Sequence, residues 1–97
     1  AFDLNLVLTE AMANAIQHAN EDNPAKEVHI EISIVSKRLI IRVFDFGTGF
    51  DVHQYIKPSP PLDEHGRGIY LIHTIMDKIS YNPTEKGHVL EMVKNLN

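Results

Sequence analysis

The hydrophobic period changes from the helical 3.6 to the strand value of 2 part-way through the N-terminal half of the chain. Across residues 2–19 the apolar side chains Leu4, Val7, Leu8, Ala11, Ala15, Ile16 and Ala19 recur at helical spacing, with strong helix formers between them and neither glycine nor proline. After a polar stop over 20–24, Val28, Ile30, Ile32 and Ile34 alternate with His29, Glu31 and Ser33, the pattern of a half-buried strand. Ser36-Lys37-Arg38 reads as a turn. A β-branched and aromatic run over 39–46 reads as a second strand, and the short polar connection predicts an antiparallel hairpin. Asp45 then falls at a strand end.

Over 51–63 the periodicity fades. A short helix fits 51–57, but Pro58, Pro60 and Pro61 exclude regular structure beyond it, so a lid-like loop is expected at about 51–65. Ile69, Ile72, Ile75, Met76 and Ile79 predict a second helix, residues 82–87 a turn, and 89–93 a last strand. The order helix, strand, strand, loop, helix, strand is not that of a doubly wound sheet, and two helices cannot cover both faces of one. The expected fold is α+β: a single domain over 1–97, a two-layer sandwich with both helices on one face of a mixed, mainly antiparallel sheet. Its cleft lies between the helices and above the sheet.

Composition limits the partners. With 97 residues, 43% of them apolar, the chain makes one domain with one modest core, burying ~60–65% of its unfolded surface. Cysteine is absent, which removes disulfides and thiolate metal sites and permits an intracellular location. No apolar run approaches the ~20 residues that cross a bilayer, and no secretory signal pattern opens the sequence. A net charge of −4 with nine basic residues spread singly argues against direct nucleic-acid binding. The six histidines show no zinc-ligand spacing.

Three segments carry chemistry. In Asp45-Phe46-Gly47-Thr48-Gly49 a carboxylate ends an apolar run, where it can accept a hydrogen bond from an exocyclic amino group; the glycines let the backbone turn and approach a ligand. In His65-Gly66-Arg67-Gly68 two glycines stand before a helical segment, the place for an anion nest of backbone N–H groups. Glu10, Asn14 and His18 recur every four residues and line one helical wall with a base, an oxygen ligand and an imidazole. Together these spell a nucleotide-phosphate site. Plainer readings stand beside each: solvent-facing polar residues for Glu10 and Asn14, an Asx turn for Asp45, helix-entry glycines for Gly66 and Gly68. His18 is either a phosphate contact or a structural histidine, and Arg67 clamps phosphate, grips a partner's acid or lies on plain surface.

The runs Leu8-Thr9-Glu10-Ala11-Met12-Ala13-Asn14-Ala15-Ile16-Gln17-His18-Ala19, Phe44-Asp45-Phe46-Gly47-Thr48-Gly49-Phe50-Asp51 and Glu64-His65-Gly66-Arg67-Gly68-Ile69-Tyr70-Leu71-Ile72 resemble, in order, the N, G1 and G2 boxes of the GHKL (Bergerat-fold) ATPase superfamily. The chain is most similar to its anti-sigma factor serine kinase branch. The resemblance implies Glu10 as general base, Asn14 as Mg²⁺ ligand, Asp45 as acceptor for the adenine amino group, and Gly47, Gly49, Gly66 and Gly68 as phosphate contacts and lid hinges. It further implies ATP and Mg²⁺ as cofactors, a sigma factor and an anti-sigma antagonist as partners, a cytoplasmic location, and leaves a homodimer open. Glu10 at the first N-box position and the short gap from Gly49 to Gly66 favour a serine kinase over the catalytic module of a histidine kinase. A nucleotide-binding interaction module without turnover is the third reading. Two departures accompany the resemblance. The sequence opens inside the first long helix, which suggests a short variant or a piece of a longer chain, and His88 follows Gly87 where the family often has threonine.

Overall fold

The computed structural model describes residues 3–19, 26–47 and 64–96, except for the side chains of 17–19 and 64–67. Helix α1 spans Leu4–Ala13 and is capped by Asp3, whose Oδ1 accepts the Leu6 N–H at 3.0 Å. That bond satisfies one of the amides left open at a helix start. The helix continues as a π-helical stretch over Asn14–Ala19. There the backbone closes every five residues instead of four, and of the wall expected from Glu10, Asn14 and His18 the described side chains are those of Glu10 and Asn14. Ile16, expected on the apolar face, is exposed.

Strands β1 (His29–Val35) and β2 (Arg38–Asp45) form the expected antiparallel hairpin. Ser36 and Lys37 make its two-residue turn with φ of 51° and 62°. Positive φ at both central residues matches the twist of the flanking strands. Helix α2 (Glu64–Ile75) starts earlier than the periodicity suggested, so Gly66 and Gly68 lie within it instead of ahead of it.

The segment after α2 differs from expectation. Ile79, read as helical because it continues the spacing of Ile72, Ile75 and Met76, belongs to a strand, β3 (Lys78–Pro83), which pairs antiparallel with β4 (His88–Asn95). The turn therefore shrinks to 84–87. It is closed by the Thr84 N–H on Gly87 O at 2.8 Å and the Gly87 N–H on Thr84 Oγ1 at 3.1 Å. Gly87 is required at this point. A Cβ there would sit 2.6 Å from the Cα of Phe46, against backbone that cannot yield.

The sheet runs β1-β2-β4-β3, and every described pair in it is antiparallel. Along β2, Leu39, Ile41, Val43 and Asp45 are buried while the residues between them are not, so one face carries the core. Onto this face pack Val7, Ala11 and Ala15 of the first helical segment and Ile69 and Ile72 of α2. The π-helical stretch lies against β2, and α2 reaches β3. Strand β1 was expected to be half-buried and is exposed throughout. Its Ile30, Ile32 and Ile34 face the same side as Val43, Ile41 and Leu39, but the helices sit over the other strands.

Candidate functional site

Asp45 ends β2 on the helix-bearing face and is 2% exposed. A buried carboxylate needs partners. Its Oδ1 accepts the Gly47 N–H at 2.9 Å, the Asx arrangement weighed from the sequence, and its Oδ2 accepts the Tyr81 hydroxyl at 2.6 Å. Gly47 therefore uses its amide to hold the carboxylate. Its carbonyl faces His88 Nδ1 at 3.2 Å. The His88 ring stacks on Tyr81, with centroids 5.0 Å apart and planes inclined by 9°.

The β-ladder explains this cluster. Asp45 pairs directly with His88, and Tyr81 pairs with Leu90, two residues further along β4. All three side chains thus share one face at one end of the sheet, within the diagonal reach of aromatic rings. Burial, and then the hydrogen bond and the negative charge of Asp45, push the Tyr81 phenol above its ordinary value, so it stays a proton donor. Tyr81 escaped the sequence reading because it fell beside an expected turn. The alternation of Ile79 and Tyr81 with Lys78 and Ser80 ahead of Gly87 was the signal for its strand.

Glu10 and Asn14 stand one helical turn apart at the α to π transition. Glu10 is half-buried, and its Oε2 occupies the space beside Gly68, 2.6 Å from where a Cβ on that residue would lie. The N box thereby meets the G2 box through one side chain and one missing side chain. Asn14 is 5% exposed, and among the described residues its Oδ1 accepts no hydrogen bond. An orphaned amide oxygen of this kind fits a hard divalent cation such as Mg²⁺, which takes few protein oxygens and fills its remaining positions with water and phosphate.

The other expected site residues are less defined. Gly66 lies in the first turn of α2, where N–H groups have no partner within the helix, and Gly68 lies two residues further in. Gly49, the short helix at 51–57 and the lid-like loop up to residue 63 are outside the described residues, as are the side chains of His18 and Arg67. Residues 64 and 65, assigned to the loop's end, belong to α2. A cleft of about 490 Å³ is lined by His29, Glu31, Phe44, Asp45, Phe46 and the 84–86 turn. His29, Glu31 and Phe44 share the face turned away from the helices, so this is not the space between helices and sheet that the sequence suggested.

Residues 1–94 match the family described as the histidine kinase-like ATPase domain. The chain belongs to that family. As a histidine kinase-like ATPase domain it is 35% identical over 104 residues to the serine-protein kinase RsbW of Bacillus licheniformis, covering 98% of this chain and 64% of that protein. RsbW of Bacillus subtilis gives the same identity and the same coverage. The chain thus spans somewhat less than two thirds of the length of these relatives. In three dimensions the domain is similar to the histidine kinase domain of a blue-light activated histidine kinase from Erythrobacter litoralis, with a TM-score of 0.67 at 20% identity over 96% of this chain and 43% of that one. That likeness shows the fold. Among the described residues, no helix is long and apolar enough to cross a membrane.

Proposed function

We propose that the chain is a single ATP-binding domain over 1–97 that transfers the γ-phosphoryl group of ATP to a serine of a partner protein. The observation that carries this is the pairing of Glu10, seated against Gly68 of α2, with Asn14, whose buried Oδ1 has no donor among the described residues. Both belong to one helical segment and both lie beside the core, where water competes poorly for them.

In this reading Asp45 accepts from the amino group of adenine while Gly47 and Tyr81 hold its carboxylate in place. The open amides at the start of α2, Gly66 among them, receive phosphate oxygens, as helix N-termini do. Asn14 holds Mg²⁺ through its Oδ1, and the bound ion supplies positive charge against the triphosphate. Glu10 orients the serine hydroxyl and takes its proton as the oxygen attacks the γ-phosphorus and the bond to the ADP oxygen breaks. His18, Gly49, Arg67 and the loop at 51–65 are assigned to the phosphate side on the sequence resemblance alone.

The name serine-protein kinase carried by relatives at 35% identity supports serine as the acceptor. The resemblance to the anti-sigma branch supports an anti-sigma antagonist as the phosphorylated partner, a sigma factor as the regulated one, and a cytoplasmic setting in which the chain works alone or as a homodimer. Transfer of labelled phosphate from ATP to an antagonist protein tests the reading. Glu10→Ala is expected to retain nucleotide and lose transfer; unchanged phosphorylation by that variant removes Glu10 from the mechanism.

A further inference from the structure

Among the described residues, the protons of Gly47, Tyr81 and His88 are directed within the Asp45 cluster. The Tyr81 hydroxyl proton goes to Asp45 Oδ2 at 2.6 Å, and the Gly47 amide proton goes to Oδ1 at 2.9 Å. A carbonyl can only accept, so the 3.2 Å contact of His88 Nδ1 with Gly47 O places the proton of the neutral ring on Nδ1. Tyr81 and His88 are locked to each other by their stacking at 5.0 Å, and Gly87 wedges the turn against the backbone of Asp45 and Phe46. The phenol therefore has little freedom to turn its proton elsewhere. What the Asp45 carboxylate has left to offer a ligand is lone pairs.

We propose that Tyr81 and His88 are specificity-determining residues: by committing their protons within the chain they leave an acceptor-only surface, which takes a purine bearing an exocyclic amino group and refuses one bearing a carbonyl at that position. The inference rests on the nucleotide reading given above and deepens it. A donor from the ligand meets the carboxylate oxygens directly. A carbonyl meets the same oxygens and leaves buried acceptors facing each other without a proton, the arrangement by which a polar site rejects an analogue strongly. Tyr81 acts through Asp45, as a positioning residue. Replacing it with phenylalanine leaves room for water at Oδ2, and water either donates or accepts, so the refusal weakens.

The test compares binding of ATP and inosine triphosphate, which differ by amino against carbonyl, to the wild-type chain and to Tyr81→Phe. The wild type is expected to prefer ATP by about tenfold or more, and Tyr81→Phe to reduce that ratio by about fivefold or more. His88→Phe, which keeps a stacked ring but removes the Nδ1 proton, is expected to lower the ratio as well and serves if Tyr81→Phe does not fold. A ratio unchanged in the folded variants, whether both affinities hold or both fall together, overturns the proposal and leaves the cluster a purely structural anchor. Binding of neither nucleotide by the wild type overturns the nucleotide reading itself, and this inference with it.

Discussion

The carboxylate of Glu10 occupies the space that a side chain on Gly68 would fill. The obstruction works in one direction only. A methyl group at 68 meets the free end of a flexible side chain, which swings away, and among the described residues nothing else is displaced. Alanine also has a helix propensity about 1 kcal/mol better than glycine inside a helix such as α2. Gly68→Ala is therefore expected to fold at least as stably as the wild type by urea denaturation and to retain ATP, while phosphoryl transfer falls by about tenfold or more through misplacement of the base. Loss of ATP binding together with transfer would instead make Gly68 a phosphate contact.

Gly87 presents the opposite case. Its neighbours are the backbone of Asp45 and Phe46, so a Cβ has nowhere to go without moving strand ends. Gly87→Ala is expected to cost about 1–3 kcal/mol or more in a urea titration. A change below about 0.5 kcal/mol, the range of ordinary surface substitutions, contradicts this.

The β1–β2 turn stores strain at Lys37, whose φ is 62°. A non-glycine residue in the left-handed region costs roughly 1–2 kcal/mol. Lys37→Gly removes that cost and keeps the carbonyl that accepts the Leu96 N–H, so stability is expected to rise by about 1 kcal/mol in thermal melts monitored by circular dichroism. An unchanged or lower melting temperature would show that the strain is relieved in some other way.

Tyr81 gives the fold an alkaline limit. Its phenol is held above the ordinary value first by burial and then by Asp45, so the folded state keeps the proton longer than the unfolded chain does. The stabilisation is complete below the unfolded value of about 10 and is lost as pH rises beyond it. Wild-type stability is expected to fall between about pH 10 and 11 more steeply than that of Tyr81→Phe, followed by chemical denaturation at each pH. Parallel slopes for the two proteins would sink this.

Much of the fold is legible in the sequence because long periodic runs leave little choice. The alternation of Val28 to Ile34 and the apolar run ending at Asp45 specify the hairpin, and Val7, Ala11 and Ala15 specify a helix with one buried stripe. Strand β3 is marked only by the short alternation over 78–81, because Ile79 satisfies both the helical spacing of α2 and the period of a strand. The π-helical stretch at Asn14 leaves no trace in apolar spacing either. The exposure of β1 is a tertiary fact: its isoleucines alternate as a core strand would, but the two helices sit over its neighbours. At the site, the motifs do not spell out what two of their glycines do in the fold. Gly68 makes room for Glu10, and Gly47 holds Asp45. Tyr81 reaches Asp45 only once β3 and β4 are paired, a relationship between residues 36 positions apart that no local motif contains.

The most direct measurement is calorimetric titration of the chain with ATP in the presence of Mg²⁺, alongside Asp45→Asn and Asn14→Ala. The wild type is expected to bind with measurable heat. Asp45→Asn, which puts an amide donor where the buried carboxylate accepts, should weaken binding by about tenfold or more, and Asn14→Ala should abolish its dependence on Mg²⁺. No heat with the wild type, or equal affinity for all three proteins, would contradict a nucleotide held at Asp45 and Asn14.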